Sequence, residues 1–215
     1  MKYRLIVLFF SAILSVNAQD ALRFETEVEA IQKKYDTVYG TSDETIVFTG
    51  SSSIRMWHDV QDRFPGHQVV NTGFGGSEAS DLSHYLYDLI LRFHPEKVFI
   101  YEGDNDIFAG KKPKRVRNDI RQIINSIHRN DSTVQIVLIA AKPSIARWNL
   151  KGKYKRLNQK LESLANAHPL VEYADVWHPM LDGSKVKQDI FIEDGLHMNQ
   201  KGYQIWYDVL KSFVN

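Results

Sequence analysis

The chain is 215 residues long and carries 27 lysines and arginines against 26 aspartates and glutamates. That near balance gives no electrostatic case for nucleic acid or an anionic membrane as partner. Cysteine is absent, which excludes disulfides, a cysteine metal site and a thiol nucleophile.

Lys2 and Arg4 precede an apolar stretch over residues 5–16, and Val16, Asn17 and Ala18 follow as small residues suited to cleavage. This is the pattern of a secretory signal peptide over residues 1–18, with an apolar run too short to span a bilayer comfortably. Its removal takes two cations and no acid, and leaves about 197 residues without linker, repeat or low-complexity tract. The expectation is an exported protein, periplasmic or secreted, with a single domain over residues 19–215. Export without cysteine fits a bacterial cell envelope better than a small disulfide-stapled module.

Phe24, Val28, Ile31 and Tyr35 recur at helical spacing and predict an amphipathic helix over residues 20–35. An apolar strand over residues 45–49 breaks at Gly50 into Ser51, Ser52 and Ser53. A second short strand around Val69 and Val70 ends in NTGFGGS, and Leu82, Leu86, Leu89 and Phe93 then mark a helix stopped near Pro95. Residues 97–101 form a third strand that runs into EGDND. A basic amphipathic helix with Val116, Ile120, Ile123 and Ile127 on its apolar face closes at the turn signal of residues 130–132. The fourth strand, residues 134–140, is almost continuously apolar. Tyr154, Leu157, Leu161 and Leu164 predict a helix ending before Pro169, and residues 171–173 a fifth strand. The last helix begins around Asn199 and is expected to bury Trp206, Val209, Leu210 and Phe213. Strands that alternate with helices and read apolar on both faces predict a parallel sheet covered on both sides, a three-layer α/β/α domain.

In such a sheet ligands bind outside the carboxyl ends of the strands. After the first strand stand three serines, which suit a held nucleophile or the N-cap of the following helix. After the second comes Gly73-Phe74-Gly75-Gly76, and after the third Gly103-Asp104-Asn105-Asp106. The glycines alone are turn residues. Together with Asn105 they offer an unshielded N–H at Gly76 and a side-chain amide, the donors an acyl-transfer site needs. Glu102, Asp104 and Asp106 suggest a cation site instead, but lack the further ligand at Phe108 and the glycine of a calcium loop. Near the C-terminus, Asp194 and His197 are three apart, close enough for the carboxylate to orient the imidazole. His58, His67, His84, His94, His128 and His168 read as surface or satisfied core residues.

GSSS, GFGGS, GDND and DGLH, in that order, resemble the four sequence blocks of the SGNH superfamily, the GDSL-type esterases and lipases, over nearly all of residues 19–215. The resemblance implies a flavodoxin-like five-stranded parallel sheet in the order 2-1-3-4-5. It implies Ser52 as nucleophile, an oxyanion hole from the N–H groups of Ser52 and Gly76 and the Asn105 amide, His197 as base and Asp194 as its orienter. The usual GDS is here Gly50-Ser51-Ser52, so Ser51 and Ser53 stay open as neighbours of the nucleophile. The segment lacks the second glycine of a GxSxG elbow, against an ordinary α/β-hydrolase. AKPSIARW, with FTGSSSIRMW, resembles a PAF-acetylhydrolase-like subgroup.

The expected activity is hydrolysis of small acyl esters, acetyl above all, on a small molecule or glycan, through an acyl-enzyme on Ser52. No cofactor, metal, nucleic acid or stable membrane insertion is implied. Trp57 and Trp148, with Trp177 and His178, suit a sugar platform or equally the core. The rivals are a lipid, lysophospholipid or thioester acylhydrolase, for which no long apolar insertion is visible, and a non-catalytic binding module. Loss of catalysis usually shows as a missing Ser, Asn or His, and none is missing.

Overall fold

Five short strands of four to six residues pair side by side and form the centre of the protein. The structure is a computed structural model and describes residues 20–37 and 45–214; the expected signal peptide lies outside the described residues. In chain order it holds α1 (Glu25–Lys34), β1 (Thr45–Gly50), the single turns α2 (Ser52–Arg55) and α3 (Val60–Arg63), β2 (Gln68–Asn71), α4 (Ala79–His84), α5 (Leu86–Leu89) and β3 (Lys97–Tyr101). There follow α6 (Asp104–Phe108), α7 (Pro113–Asn130), β4 (Gln135–Ile139), α8 (Lys151–Asn166), β5 (Val171–Ala174), a small antiparallel pair β6 (Leu181–Asp182) and β7 (Lys185–Val186), and α9 (Gln200–Leu210). The five-stranded sheet is parallel throughout in the order β2-β1-β3-β4-β5, the predicted order, and helices flank it.

Every residue of β1 and β3 is buried, as a parallel strand covered on both faces requires. Phe48 and Phe99 are register partners whose rings stack at 4.3 Å, and Trp57 lies edge-on to Phe48 at 5.8 Å. α9 joins this layer, with Tyr203 and Trp206 at 5.5 and 6.0 Å from Trp57. Truncating so enclosed a side chain, as in Trp57→Ala, costs about 3–5 kcal/mol. Val47 and Val98 point to the opposite face by the two-residue period of a strand. Right-handed crossovers put α4, α7 and α8 there, with α7 packed against both neighbours.

The helix predicted through Phe93 is instead α4, α5 and a 3-10 turn (Leu91–Phe93), ended by His94 at φ 46°. Leu82, Leu86, Leu89 and Phe93 are nevertheless all buried, so the period survives while the axis breaks. In α9 Tyr203 is buried beside Trp206 and Leu210, whereas Val209, and Phe213 in the 3-10 turn that follows (Lys211–Phe213), are only half-buried. α7 and α8 each carry five lysines and arginines against one acid, and Arg117, Arg121 and Lys160 line the groove between them. No helix among the described residues is long and apolar enough to cross a membrane.

Candidate active site

β1 ends at Gly50, where φ is +125° and an added Cβ would stand 2.0 Å from the Tyr101 carbonyl oxygen, so only glycine can make this turn. The Ser51 N–H then donates to that carbonyl at 3.1 Å and the chain turns into α2. Ser51 holds the N-cap position but its side chain makes no capping bond, so capping does not account for it. Ser51 and Ser53 are both buried. Ser52 is half-buried, and its Oγ lies 3.0 Å from His197 Nε2.

His197 comes from the loop between β7 and α9, which is closed by its own backbone. The Ile192 N–H donates to the His197 carbonyl at 2.9 Å and the Gly195 N–H to the Ile192 carbonyl at 3.0 Å. Asp194 Oδ1 accepts the N–H groups of Leu196 and His197 at 2.8 and 2.9 Å, and its Oδ2 lies 2.5 Å from His197 Nδ1. Burial pushes this carboxyl up, but the hydrogen bonds from the imidazole and the two backbone N–H groups outweigh it and hold the pKa at about 2. An ionised carboxylate at Nδ1 keeps the proton there and leaves Nε2 as the acceptor facing the Ser52 hydroxyl. That is the geometry of a base poised on a nucleophile.

β2 and β3 flank β1, so the loops that follow them border Ser52 from both sides. The loop after β2 is pinned by the Phe74 N–H to the Gly50 carbonyl at 2.8 Å and by the Gly75 N–H to Glu27 Oε1 of α1 at 3.0 Å. Gly76 is exposed at φ +81°, and nothing lies within 4 Å of where a Cβ would stand. Asn105, at the start of α6, donates from Nδ2 to the Ser77 carbonyl at 2.9 Å, which ties the two loops together. Among the described residues the N–H groups of Ser52 and Gly76 donate to no other group.

The three carboxylates of EGDND diverge. Glu102 Oε1 accepts from Ser77 Oγ at 2.7 Å and Asp106 faces Lys111 at 3.0 Å, whereas Asp104 turns to the other side of the chain. There its Oδ1 accepts from Arg147 Nη1 and the Tyr154 hydroxyl, both at 2.7 Å, and its Oδ2 from the Tyr101 hydroxyl at 3.0 Å, with Lys142 Nζ at 3.6 Å. Lys142 Nζ also donates to the Leu196 carbonyl beside His197 at 2.7 Å, and Arg147 Nη1 to Asn105 Oδ1 at 3.1 Å. Sequence reasoning missed both cations. The one available signal was a lysine directly after an apolar strand, at Ala140-Ala141-Lys142.

The sugar platform is corrected at Trp57 and Trp177. Trp57 has no exposed surface and Trp177 is 2% exposed, because both fill the core. Trp148 is half-buried, stacked on Trp177 at 6.0 Å, and His178 stands exposed beside Asp175.

A parallel sheet in this order, with Ser, His and Asp in line at the carboxyl ends of its strands, defines the class of SGNH-type hydrolases. The family model described as GDSL-like Lipase/Acylhydrolase matches residues 37–205, and the chain belongs to that family of ester hydrolases. No curated protein matches the chain. Among solved structures it is similar to a Streptococcus pneumonia protein provisionally titled a platelet activating factor, with 25% identity over 90% of this chain and 95% of that one and a TM-score of 0.78. A GDSL-like lipase from Bacteroides thetaiotaomicron shares 20% identity over 91% and 97% of the two chains, with a TM-score of 0.73. An acetyl esterase mutant solved with an acetate ion shares 13% identity over 80% and 98%, with a TM-score of 0.62.

Proposed function

We propose that the protein is an exported serine esterase that removes small acyl groups, acetyl first of all, from a small-molecule or glycan ester. The observation that carries the serine mechanism is the line from Ser52 Oγ through the His197 imidazole to Asp194, at 3.0 and 2.5 Å. In this mechanism His197 Nε2 takes the Ser52 proton as Oγ bonds to the ester carbonyl carbon. The N–H groups of Ser52 and Gly76 and the Asn105 amide receive the oxyanion. Its collapse breaks the bond to the alcohol, which leaves with the proton from His197, and a water activated by the same imidazole releases the acid. The signal-like leader over residues 1–18 supports export, and the acetate ion bound in the acetyl esterase of like fold supports a small acyl group.

A longer acyl chain is the second reading. Three exposed apolar side chains favour it: Phe108 on the helix of Asn105, Ile145 against the Gly195 turn, and Ile192 two residues before Asp194. The test is hydrolysis of a panel of acetylated sugars, p-nitrophenyl esters of increasing chain length, phospholipids and thioesters. Ser52→Ala should abolish turnover and fluorophosphonate labelling, while Ser51→Ala and Ser53→Ala keep both. Labelling that persists in Ser52→Ala would move the nucleophile to a neighbour, and a preference for long chains would replace the acetyl reading with the second one.

A further inference from the structure

We propose that Arg147 is a positioning residue for the oxyanion side of the site, fixing which end of the Asn105 amide faces the reacting carbonyl and polarising that amide. The inference rests on Asn105 acting as an oxyanion donor, as set out above.

A primary amide is nearly symmetric in shape, yet one end donates and the other accepts. Arg147 Nη1 donates to Asn105 Oδ1 at 3.1 Å, and Asn105 Nδ2 donates to the Ser77 carbonyl at 2.9 Å. A flipped amide would set its oxygen against the Ser77 carbonyl and its NH2 against a guanidinium, two mismatched pairs in a part-buried site. With one amide hydrogen taken by Ser77, the second is left for the oxyanion. A cation on the amide oxygen also draws electron density from the nitrogen, so the N–H strengthens as a donor when negative charge develops.

The guanidinium is itself held on two sides. Nη1 also donates to Asp104 Oδ1 at 2.7 Å, and the Phe108 ring lies 4.3 Å from Cζ. Burial works against an ionised Asp104, but the charges of Lys142 and Arg147 and the Tyr154 hydroxyl outweigh it and keep the carboxyl below its ordinary range. Neutralising Asp104 does not by itself call for Arg147. Lys142, with no exposed side-chain surface, stands 3.6 Å from the same carboxylate. A second cation on one buried carboxylate is surplus to charge balance, and its distinguishing contact is the Asn105 amide.

The experiment is a double-mutant cycle on p-nitrophenyl acetate with Arg147→Met, Asn105→Ala and the pair, with thermal midpoints measured for each. One oxyanion donor is worth roughly 10² to 10³ in kcat, so losing its orienter should cost about 10- to 100-fold in kcat with KM little changed. In the Asn105→Ala background the same Arg147→Met change should cost nothing further, because its effect runs through the missing amide. Arg147→Lys, which keeps a charge for Asp104 but not the planar fork, should fall between wild type and Arg147→Met, and it carries the cycle if the methionine variant unfolds. Losses that multiply across the cycle, or a rise in KM at constant kcat, overturn the inference while leaving the serine mechanism standing. Full activity in Asn105→Ala overturns the oxyanion role of Asn105 and this inference with it.

Discussion

Asp194 serves two partners with its two oxygens, the backbone turn with Oδ1 and the imidazole with Oδ2. Its folded pKa of about 2 lies below the ordinary 3.8, so its contribution to stability is present above pH 3.8 and is lost as the pH falls through about 2. In any ordinary assay it is therefore ionised. The kcat/KM profile should therefore show no limb from this carboxylate above about pH 3. Asp194→Asn should cost about 10⁴ in kcat with the fold intact. A carboxylate limb above that pH, or an active Asn variant, would count against this arrangement. The Asp-x-x-His spacing that drew attention in the sequence occurs three times: once on α4, where Asp81 accepts from Arg23 at 2.9 Å, and twice in loop turns. Asp175 accepts the N–H groups of Trp177 and His178 at 2.9 and 3.2 Å and meets His178 Nδ1 at 2.5 Å, the same pattern with no serine opposite. Spacing thus reports a tight turn that any aspartate can make; Ser52, 145 residues distant in sequence, makes one of the two turns a candidate for chemistry.

At the scale of elements, long strands and helices were legible because burial imposes a period on them. The single turns α2, α3 and α6 and the β6–β7 hairpin were not, since one helical turn or a two-residue strand contains too few side chains to show a period. The join of β3 to α6 also carries a cost. Burial, with the Asp106 charge adding to it, pushes Glu102 well above its ordinary 4.5, and its Oε2 finds no hydrogen-bond partner among the described residues. For an acid raised in the folded state, stability is greatest below the unfolded pKa and declines as pH rises toward the folded one. Glu102→Gln keeps an acceptor for Ser77 Oγ and removes the charge. It should raise the thermal midpoint at pH 8 by a few degrees, about 2–4 °C per kcal/mol for a chain of this size, with no gain at pH 4. An equal or lower midpoint at pH 8 would show that the carboxylate is accommodated in a way these contacts do not reveal.

For the molecule as a whole, layer architecture was readable because strands alternate with helices and the central ones are apolar on both faces, and strand order followed from the family resemblance. The order of Ser52, Gly76, Asn105, Asp194 and His197 along the chain was readable too. The buried charges that brace them were not, for Lys142 and Arg147 reach their partners across loops whose approach no local pattern encodes. Near-equal counts of acid and base describe the chain as a whole and not the placing of its charges. The basic excess of α7 and α8 in one layer leaves the compensating carboxylates elsewhere on the chain. The protein can therefore meet an anionic surface through one face despite its small net charge. On a sulfonated support at low ionic strength it should lie down on the α7–α8 layer, with α2, α3 and α9 outward and the carboxyl edge of the sheet open to the side. Beads loaded this way should therefore hydrolyse a small ester nearly as fast per molecule as free protein does, and charge reversal at Arg117, Arg121 and Lys160 should release it at lower salt.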